Sequence, residues 1–173
     1  MLASTVLSYS RAESGAMEPQ LESFEIGSYL EDLVPVHRVR AEARGLGFEV
    51  KPAPECKVRT DPVLLRIVLS NLIGNAVDHS PDGGHVRCSI KAVETRVLIT
   101  IANTCVGLDR EDLPKLTERF WRKDSARSSG GPAHVGLGLS VVRELTVQLG
   151  LELEFGIDGD ELAVVLGVPL DGG

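Results

Sequence analysis

Two asparagines inside an apolar stretch are the residues whose type and spacing first suggest chemistry. Asn71 and Asn75 lie in the segment DPVLLRIVLSNLIGNAVDHS, residues 61–80, where apolar residues recur at helical intervals. A separation of four residues puts both carboxamides on one face of a helix, one turn apart. Asparagine prefers caps and turns to helix interiors, so this pair needs a reason. Either the two side chains hydrogen-bond a neighbouring loop, or a carboxamide oxygen binds Mg²⁺ in a nucleotide site.

A glycine-containing segment, HVGLGLS at 134–140, opens a second predicted helix over residues 135–149. Glycines let backbone N–H groups approach an anion closely, and a helix N-terminus attracts negative charge. The segment is too short for the dinucleotide-binding fingerprint, and no parallel β-α-β unit precedes it. Phosphate binding and an ordinary loop–helix junction, in which glycine permits close packing, both stay open on this pattern alone.

A basic segment, ERFWRKDSAR at 118–127, precedes these glycines and carries three arginines and a lysine. Such a cluster either clamps phosphates or forms a solvated charged loop. The adjacent rings of Phe120 and Trp121 favour the first interpretation, because aromatic residues make up only 4% of the chain and large rings in a loop usually anchor it. A further segment, IANTCVGL at 101–108, takes a predicted strand into a glycine turn and puts Asn103 where it can meet the edge of a ligand.

Composition limits the class of protein that must position these residues. The chain has 173 residues, 43% of them hydrophobic, which suits one domain with or without a short appendage. No apolar run approaches 18 residues, so we expect no membrane span. The net charge of −7 argues against general nucleic-acid binding. Three cysteines lie far apart without a CxxC spacing, which predicts reduced thiols in a cytoplasmic protein.

The hydrophobic pattern predicts an α+β fold with a mixed, mostly antiparallel sheet covered on one face by helices. Asp61 at the N-cap and Pro62 at the first helical position mark the start of the asparagine helix. Pro35 predicts a kink or break near Val34 in the helix before it. The predicted helices are 26–44, 61–80 and 135–149, with a helical turn at 109–116, and the predicted strands are 48–51, 57–59, 85–93, 96–103, 151–157 and 161–168.

Four of these segments, in order and spacing, resemble the ATP-binding domain of sensor histidine kinases. This domain belongs to the superfamily of gyrase, heat-shock-chaperone and mismatch-repair ATPases. NLIGNAVDHS resembles the N box, NTCVGL the first glycine box, ERFWRKDSAR the F box and HVGLGLSVV the second glycine box. The resemblance covers about 24–169. It implies that 24–173 form the ATP-binding catalytic domain and that 1–23 are the end of a dimerisation helix and its linker.

The resemblance implies a two-layer α/β sandwich of the Bergerat type, with ATP between the long helices and the sheet, under a lid. Asn75 matches the asparagine that coordinates Mg²⁺ and Asn71 its partner, and both are predicted to be catalytic. Gly136 and Gly138 match the glycines whose amides meet the phosphates. The other residues predicted to bind the nucleotide are Asp78, His79, Asn103, Gly107, Leu108, Phe120, Arg122, Arg127, His134, Leu137 and Leu139.

Three positions depart from the family pattern. The first glycine box usually begins with an aspartate that accepts a hydrogen bond from the adenine amine, whereas this chain has Asn103 there and Cys105 in place of the first glycine. Asparagine still offers a carbonyl acceptor, but the loss of charge costs about 1 kcal/mol or more. Asp78 occupies a position that is often lysine, where it is expected to repel phosphates.

The function that the resemblance implies is presentation of the ATP γ-phosphate to a histidine on a dimerisation domain, for transfer to an aspartate on a response regulator. The histidines of this chain lack the context of that acceptor, so we expect the chain to bind ATP without autophosphorylating alone. The alternatives are a degenerate nucleotide-binding or interaction module and a standalone serine kinase of the anti-sigma type.

The expected surroundings follow from the same resemblance. The domain is predicted to be cytoplasmic, with no nucleic-acid or membrane contact of its own, and the full-length kinase can still be membrane-anchored. Alone it is expected to be a monomer, whereas the full kinase would be a homodimer.

Overall fold

The computed structural model describes residues 18–121 and 137–172. Within them lie three α-helices, α1 (Ile26–Glu42), α2 (Pro62–His79) and α3 (Gly138–Leu149), and a 3-10 helix at Arg110–Lys115. None of these helices is long and apolar enough to cross a membrane. The strands are β1 (Glu22–Glu25), β2 (Gly47–Val50), β3 (Lys57–Thr60), β4 (His85–Val93), β5 (Arg96–Thr104), β6 (Glu152–Asp158) and β7 (Glu161–Pro169).

Five strands form one sheet in the order β2-β4-β5-β7-β6. Only the β2–β4 pair is parallel, and the other neighbours are antiparallel, which confirms the mixed, mostly antiparallel sheet. The short strands β1 and β3 pair with each other outside this sheet, with Glu22 opposite Thr60. The sequence pattern did not predict β1, because its partner strand is distant along the chain: Glu22 pairs with Thr60, 38 positions later.

The core lies between one face of the sheet and the helices. Ile90, Ile99 and Leu166 face one another across β4, β5 and β7. Residues two positions away in these strands are buried with them, namely Cys88, Val97, Ile101, Val164 and Val168. Both long helices supply apolar side chains to the same cluster, so the domain is the predicted two-layer sandwich. The helix residues that are at most 2% exposed include Ile26, Leu30, Leu65, Val68, Leu69, Leu72, Ile73, Val77 and Leu145.

Helix α2 begins and ends within one residue of its prediction because its ends are encoded locally. The Asp61 side chain accepts hydrogen bonds from the backbone N–H groups of Val63 and Leu64, at 2.9 and 3.0 Å. Pro62 occupies the first turn, where a missing N–H costs nothing. The second carboxylate oxygen of Asp61 accepts from Gln20 N at 2.9 Å, so the same cap also ties down the segment before β1.

Helix α1 passes through Pro35 without a break, so the alternative of a broken helix is wrong. Proline removes the hydrogen bond that its N–H would donate to the carbonyl of Glu31. Both residues are exposed, so water can satisfy that carbonyl. The apolar stripe of α1, with Leu30, Leu33 and Val34 buried, stabilises the helix through its packing on the core.

Helix α3 starts at Gly138, and the predicted start at 135 lies outside the described residues. Gly150 ends the helix in a left-handed conformation, with φ +65°. All three cysteines are free thiols. Burial raises the pKa of Cys88, in the centre of the sheet, to about 12, so this thiol acts as a small apolar core residue.

Candidate nucleotide-binding site

Asn71 and Asn75 lie on one side of α2, as their spacing predicts, and this side faces α3. The Asn71 side chain donates a hydrogen bond from Nδ2 to the carbonyl of Ile67, one turn earlier, at 2.8 Å. The NH₂ group of Asn71 is therefore bonded within its own helix, whereas its Oδ1 lies on the side of Gly138. Within residues 18–121 and 137–172, the Asn75 carboxamide has no hydrogen-bond partner, although it is only partly buried and sits in the middle of a helix.

Gly138, the first residue of α3, lies directly against this pair. A Cβ atom at position 138 would lie 3.3 Å from Asn71 Oδ1 and 3.3 Å from both carboxamide atoms of Asn75. Such contacts are closer than ordinary packing, so any larger residue would have to displace the asparagine side chains. The structure thus brings the asparagine pair and the second glycine segment together, although they are more than 60 positions apart in the chain.

The first turn of α3 is arranged to receive an anion. Leu137 occupies the N-cap and provides no side-chain hydrogen bond, and no acidic residue lies in the first turn. The Ser140 hydroxyl donates backwards to Leu137 O at 2.9 Å, so it does not cap the helix either. The N–H groups of a first helical turn have no partner in their own helix. Together with the helix dipole they favour negative charge beside Asn75.

Asn103 lies at the end of the buried face of β5, below the C-terminal end of α2. It follows Ile99 and Ile101 in the alternation of that strand and is 3% exposed. Its side-chain amide donates to Thr104 O at 2.8 Å and makes a longer hydrogen bond with Ser80 Oγ, at 3.4 Å. The side chain is therefore between helix and sheet, as predicted, with its amide protons bound inside the protein. Its contact with adenine stays a prediction.

The turn after β5 opens away from the core. Gly107 has φ +76°, and a Cβ there would meet nothing within 4 Å, while Leu108 is half-buried. Cys105, which stands where the family has glycine, is buried, and its N–H donates to Asp160 O at 2.7 Å. Burial, with the nearby Asp160 carboxylate, raises the pKa of this thiol, so Cys105 is a neutral packing residue at the edge of the site.

Asp78 has a cationic partner that the sequence reasoning missed. Arg40 of α1 approaches the Asp78 carboxylate with Nη2 at 2.5 Å from Oδ1, and both side chains are more than half buried. The sequence predicted that Asp78 repels phosphates, but its carboxylate is paired with Arg40, so its negative charge is offset. A signal was present, because His37, Arg40 and Arg44 recur at helical spacing beside the apolar stripe of α1.

His37 of α1 and Arg44, just after the end of α1, meet the same side of α2. Arg44 donates to three backbone carbonyls at the end of α2, those of Val77, Asp78 and Ser80, the last two at 3.0 and 2.8 Å. These bonds satisfy helix-end carbonyls that have no partner in the helix. His37 is 5% exposed, and its Nδ1 is buried without a hydrogen-bond partner. Burial and then the nearby Arg40 lower the pKa of His37, so its ring is neutral near pH 7.

Of the remaining predicted site residues, some lie within the described part of the chain and others lie outside it. His79 is exposed in the last turn of α2, and Leu137 and Leu139 are half-buried at the start of α3. Phe120 is 65% exposed with φ +64°, so this ring is not anchored in the core, whereas Trp121 is half-buried. Four predicted residues, Arg122, Arg127, His134 and Gly136, lie outside the described part of the chain.

Other features of the described residues do not compete with this site. The 530 Å³ cleft at the N-terminus of α1 is lined by Glu25, Glu31, Glu55 and Lys57 among others, and contains no predicted site residue. Residues 18–121 and 137–172 hold no group of three or more His, Cys, Asp or Glu side chains suited to a metal ion. The constellation at Asn75 and Gly138 is therefore of another kind, in which two carboxamides lie against the first turn of a helix.

Comparison with known proteins points to one family. The sequence profile of the histidine kinase-, DNA gyrase B- and HSP90-like ATPases matches residues 60–171. The chain is 29% identical over 146 residues to the sensor histidine kinase CusS of Escherichia coli O6:H1, covering 84% of this chain and 30% of CusS. It is 38% identical over 104 residues to the phosphate regulon sensor protein PhoR of Pseudomonas aeruginosa, covering 59% of this chain and 23% of PhoR.

Solved structures agree with this assignment. The histidine kinase AdeS of Acinetobacter baumannii superposes with a TM-score of 0.77 at 21% identity, over 99% of this chain and 78% of that one. Full-length ShkA in complex with AMPPNP gives a TM-score of 0.82 at 25% identity, over 96% of this chain and 34% of that one. The chain spans less than a third of the CusS and PhoR sequences that it matches. It belongs to the histidine kinase-, DNA gyrase B- and HSP90-like ATPase family, as an ATP-binding catalytic domain of the sensor histidine kinase type.

Proposed function

We propose that this domain binds Mg²⁺-ATP between α2 and the start of α3 and presents the γ-phosphate to a histidine on a dimerisation and phosphotransfer domain. The phosphoryl group then passes to an aspartate on a response regulator. The observation that carries the proposal is the close packing of Gly138 against Asn71 and Asn75, where a Cβ added at position 138 would lie 3.3 Å from both carboxamides. This contact joins the two segments whose family counterparts hold the metal and the phosphates.

The chain's own residues have distinct parts in this proposal. Asn75 would hold Mg²⁺ through its carboxamide oxygen, a hard ligand of the kind that Mg²⁺ prefers, and Asn71 would fix the neighbouring position. The backbone amides of Gly136 and Gly138 would bind phosphate oxygens at the start of α3. When bound, Mg²⁺ neutralises charge on the phosphates.

The catalytic work of the domain is positioning and neutralisation of charge. Phosphoryl transfer requires little covalent chemistry from the protein that holds ATP, so pre-arranged dipoles and an aligned γ-phosphate provide most of the rate. The described histidines support an acceptor on another domain. His37 is buried under α2, and His85 hydrogen-bonds Thr104 and Glu161 on neighbouring strands.

Two solved structures support the choice of nucleotide and partner. The ShkA structure, 25% identical to this chain, holds AMPPNP, an adenine nucleotide analogue. The histidine kinase ThkA, which shares the fold at 15% identity and a TM-score of 0.77, was solved in complex with its response regulator protein TrrA. We infer that the present domain takes ATP and, within a dimeric kinase, serves a response regulator of its own.

The proposed setting of the domain is a cytoplasmic one. The thiols of Cys56, Cys88 and Cys105 are free, which suits a reducing compartment where ATP is abundant. We propose that residues 24–173 are the catalytic domain and that 1–23 are the end of the dimerisation helix and its linker. The last residues before 24 already pack on the domain, because Gln20 N donates to Asp61 and β1 pairs with β3.

A second candidate function is a nucleotide-binding or interaction module without kinase activity. It is favoured by Asn103, whose amide group bonds Thr104 O and Ser80 inside the protein while only 3% of the residue is exposed. The substitution Asn103→Asp tests whether this position contacts adenine, because a carboxylate binds the adenine amine more strongly than a carboxamide does. Tighter Mg²⁺-ATP binding supports an adenine contact at this position, and unchanged or weaker binding contradicts it.

The experiment that tests the proposed function is a calorimetric titration of ATP with and without Mg²⁺. The chain should bind ATP more tightly with Mg²⁺, and Asn75→Ala should abolish that difference while the protein stays folded, since no described residue hydrogen-bonds this side chain. Asn71→Ala is the matched control in the same helix, and it should weaken binding less because its amide bonds the helix backbone. Absence of ATP binding by the unsubstituted chain would contradict the proposal.

A further inference from the structure

The ion pair between Arg40 and Asp78 is the strongest feature beside the site that the proposed mechanism does not use. The guanidinium of Arg40 comes from α1 and reaches the carboxylate of Asp78 on α2 at 2.5 Å. The side chains of Arg40 and Asp78 are 30% and 17% exposed, so water screens this pair less than a surface pair. The pair is therefore positioned to control the charge at this end of α2.

The pair lies next to the asparagine pair. Asp78 follows Asn75 by three residues, so it lies about one turn closer to the helix end and about 60° around the helix, toward α1. Gly74 lies beside the cation, since a Cβ there would be in ordinary van der Waals contact with Arg40 Nη1, at 3.9 Å, and with the ring of His37, at 3.8 Å. Asn75 is thus flanked on one side by the start of α3 and on the other by this ion pair.

Without its partner, Asp78 would place a negative charge where the phosphates of ATP are proposed to bind. Like charges within one or two helical turns repel strongly in a partly buried setting, where the effective dielectric constant is far below that of water. No other described arginine in α1 or just after it substitutes for Arg40. Arg44 is bound to carbonyls at the end of α2, and Arg38 lies over the ring of Phe48.

We propose that Arg40 is a positioning residue for the nucleotide, which acts by compensating the charge of Asp78 beside the phosphate site. This inference rests on the proposed function. Arg40 holds the carboxylate in an ion pair, so the polyphosphate meets a neutral pair instead of an anion.

The test is a charge cycle on Arg40 and Asp78, read as affinity for Mg²⁺-ATP and for adenosine, which carries no phosphate. Arg40→Gln should weaken Mg²⁺-ATP binding about tenfold and leave adenosine affinity unchanged. The double variant Arg40→Gln with Asp78→Asn should restore Mg²⁺-ATP affinity to near that of the unsubstituted chain. Arg40→Lys should retain most of the affinity, because it keeps the charge. Arg38→Gln removes a cation from the same helix and should have little effect.

Several results would overturn the inference. If the double variant bound Mg²⁺-ATP as weakly as Arg40→Gln, Arg40 would contact the nucleotide directly instead of acting through Asp78. Equal losses for adenosine and Mg²⁺-ATP would indicate a structural role only. Asp78→Asn alone, which leaves no buried anion, should bind Mg²⁺-ATP more tightly, and weaker binding would also refute compensation. If the unsubstituted chain bound no Mg²⁺-ATP, the proposed function itself would fail, whereas normal binding with no effect of Arg40→Gln would refute this inference alone.

Discussion

The two sides of α2 are built in opposite ways. On the side that faces α1, Arg40 pairs with Asp78 and Arg44 bonds the carbonyls at the helix end, so charges and backbone groups are matched. On the side that faces α3, Gly138 lies against the carboxamide of Asn75, where a larger side chain would crowd it. The charged groups on the α1 side are paired, whereas the Asn75 carboxamide on the α3 side has no hydrogen-bond partner among the described residues.

This difference separates stability from binding along one helix. Groups that are already paired have little to offer a ligand, but their loss leaves buried polar atoms unsatisfied and destabilises the fold. Open polar groups contribute little to stability and are available for an incoming molecule. We therefore expect substitutions on the α3 side to change affinity and substitutions on the α1 side to change the free energy of unfolding, with Arg40 as the one residue that influences both.

The largest expected effect comes from crowding the α3 side. Gly138→Val would place a branched side chain within about 3.3 Å of both carboxamides, where the Cβ alone is already crowded. We expect a loss of about 2 kcal/mol in Mg²⁺-ATP binding, or about thirtyfold in Kd, measured by calorimetry. Gly156→Ala is the control, because a Cβ there meets open space on β6. An unchanged affinity for Gly138→Val would show that nucleotide does not bind here.

The next effect tests the α1 side. Arg44→Gln removes hydrogen bonds to the carbonyls of Val77, Asp78 and Ser80. We expect the free energy of unfolding to fall by about 1–2 kcal/mol, since charge-assisted bonds to helix-end carbonyls are lost. Chemical denaturation measures it, with Asp82→Asn as the control for the exposed ion pair that Arg44 also makes, which contributes little. If Arg44→Gln reduced the free energy of Mg²⁺-ATP binding by more than the free energy of unfolding, the distinction between the two sides would be wrong.

A smaller effect is expected at the other end of α2. Asp61→Ala removes the acceptor for Val63 N, Leu64 N and Gln20 N. The free energy of unfolding should fall by about 1 kcal/mol, which is typical of a lost N-cap. Asp61→Asn keeps a capping oxygen and should recover most of it. Equal losses for the two variants would mean that the charge of Asp61, and not its capping bonds, stabilises the helix.

The smallest effect is a pH dependence that belongs to the α1 side. Burial, followed by the nearby Arg40, lowers the pKa of His37, and Asp78 opposes this only in part. The unfolded chain therefore binds a proton more readily than the folded one, so His37 contributes stability above its unfolded pKa, near 6.5, that is lost as the pH falls below it. Denaturation curves between pH 7.5 and 5 should show this slope, and His37→Leu should flatten it. A His37→Leu curve with the same slope would assign the dependence to other groups.

The features that could be predicted from sequence are those encoded over a few residues. Asp61 and Pro62 define the start of α2 locally, and the four-residue spacing of Asn71 and Asn75 placed both on one side of the helix. Alternation in β4 and β5 predicted which face of the sheet is buried. Each of these signals depends on the backbone geometry of a single element, so tertiary contacts had little to change.

What the sequence did not reveal depends on contacts between distant segments. The strand β1 was missed because ESFE has no strong pattern and forms only with β3 as its partner. The Arg40–Asp78 pair was missed because it requires the packing of α1 on α2, and Asp78 was accordingly read as an uncompensated charge. The break predicted from Pro35 as one alternative is wrong, since α1 continues through Pro35, where the affected carbonyl is on an exposed side.

The most direct test of the two-sided account is chemical-shift mapping by NMR as Mg²⁺-ATP is added to the isotope-labelled chain. The account predicts large shifts at the Asn75 side-chain amide and the Gly138 backbone amide. It predicts small shifts at Arg44 and Asp82, which belong to the α1 side of α2. Saturating Mg²⁺-ATP that shifted the α1 side of α2 while Asn75 and Gly138 stayed unchanged would contradict it.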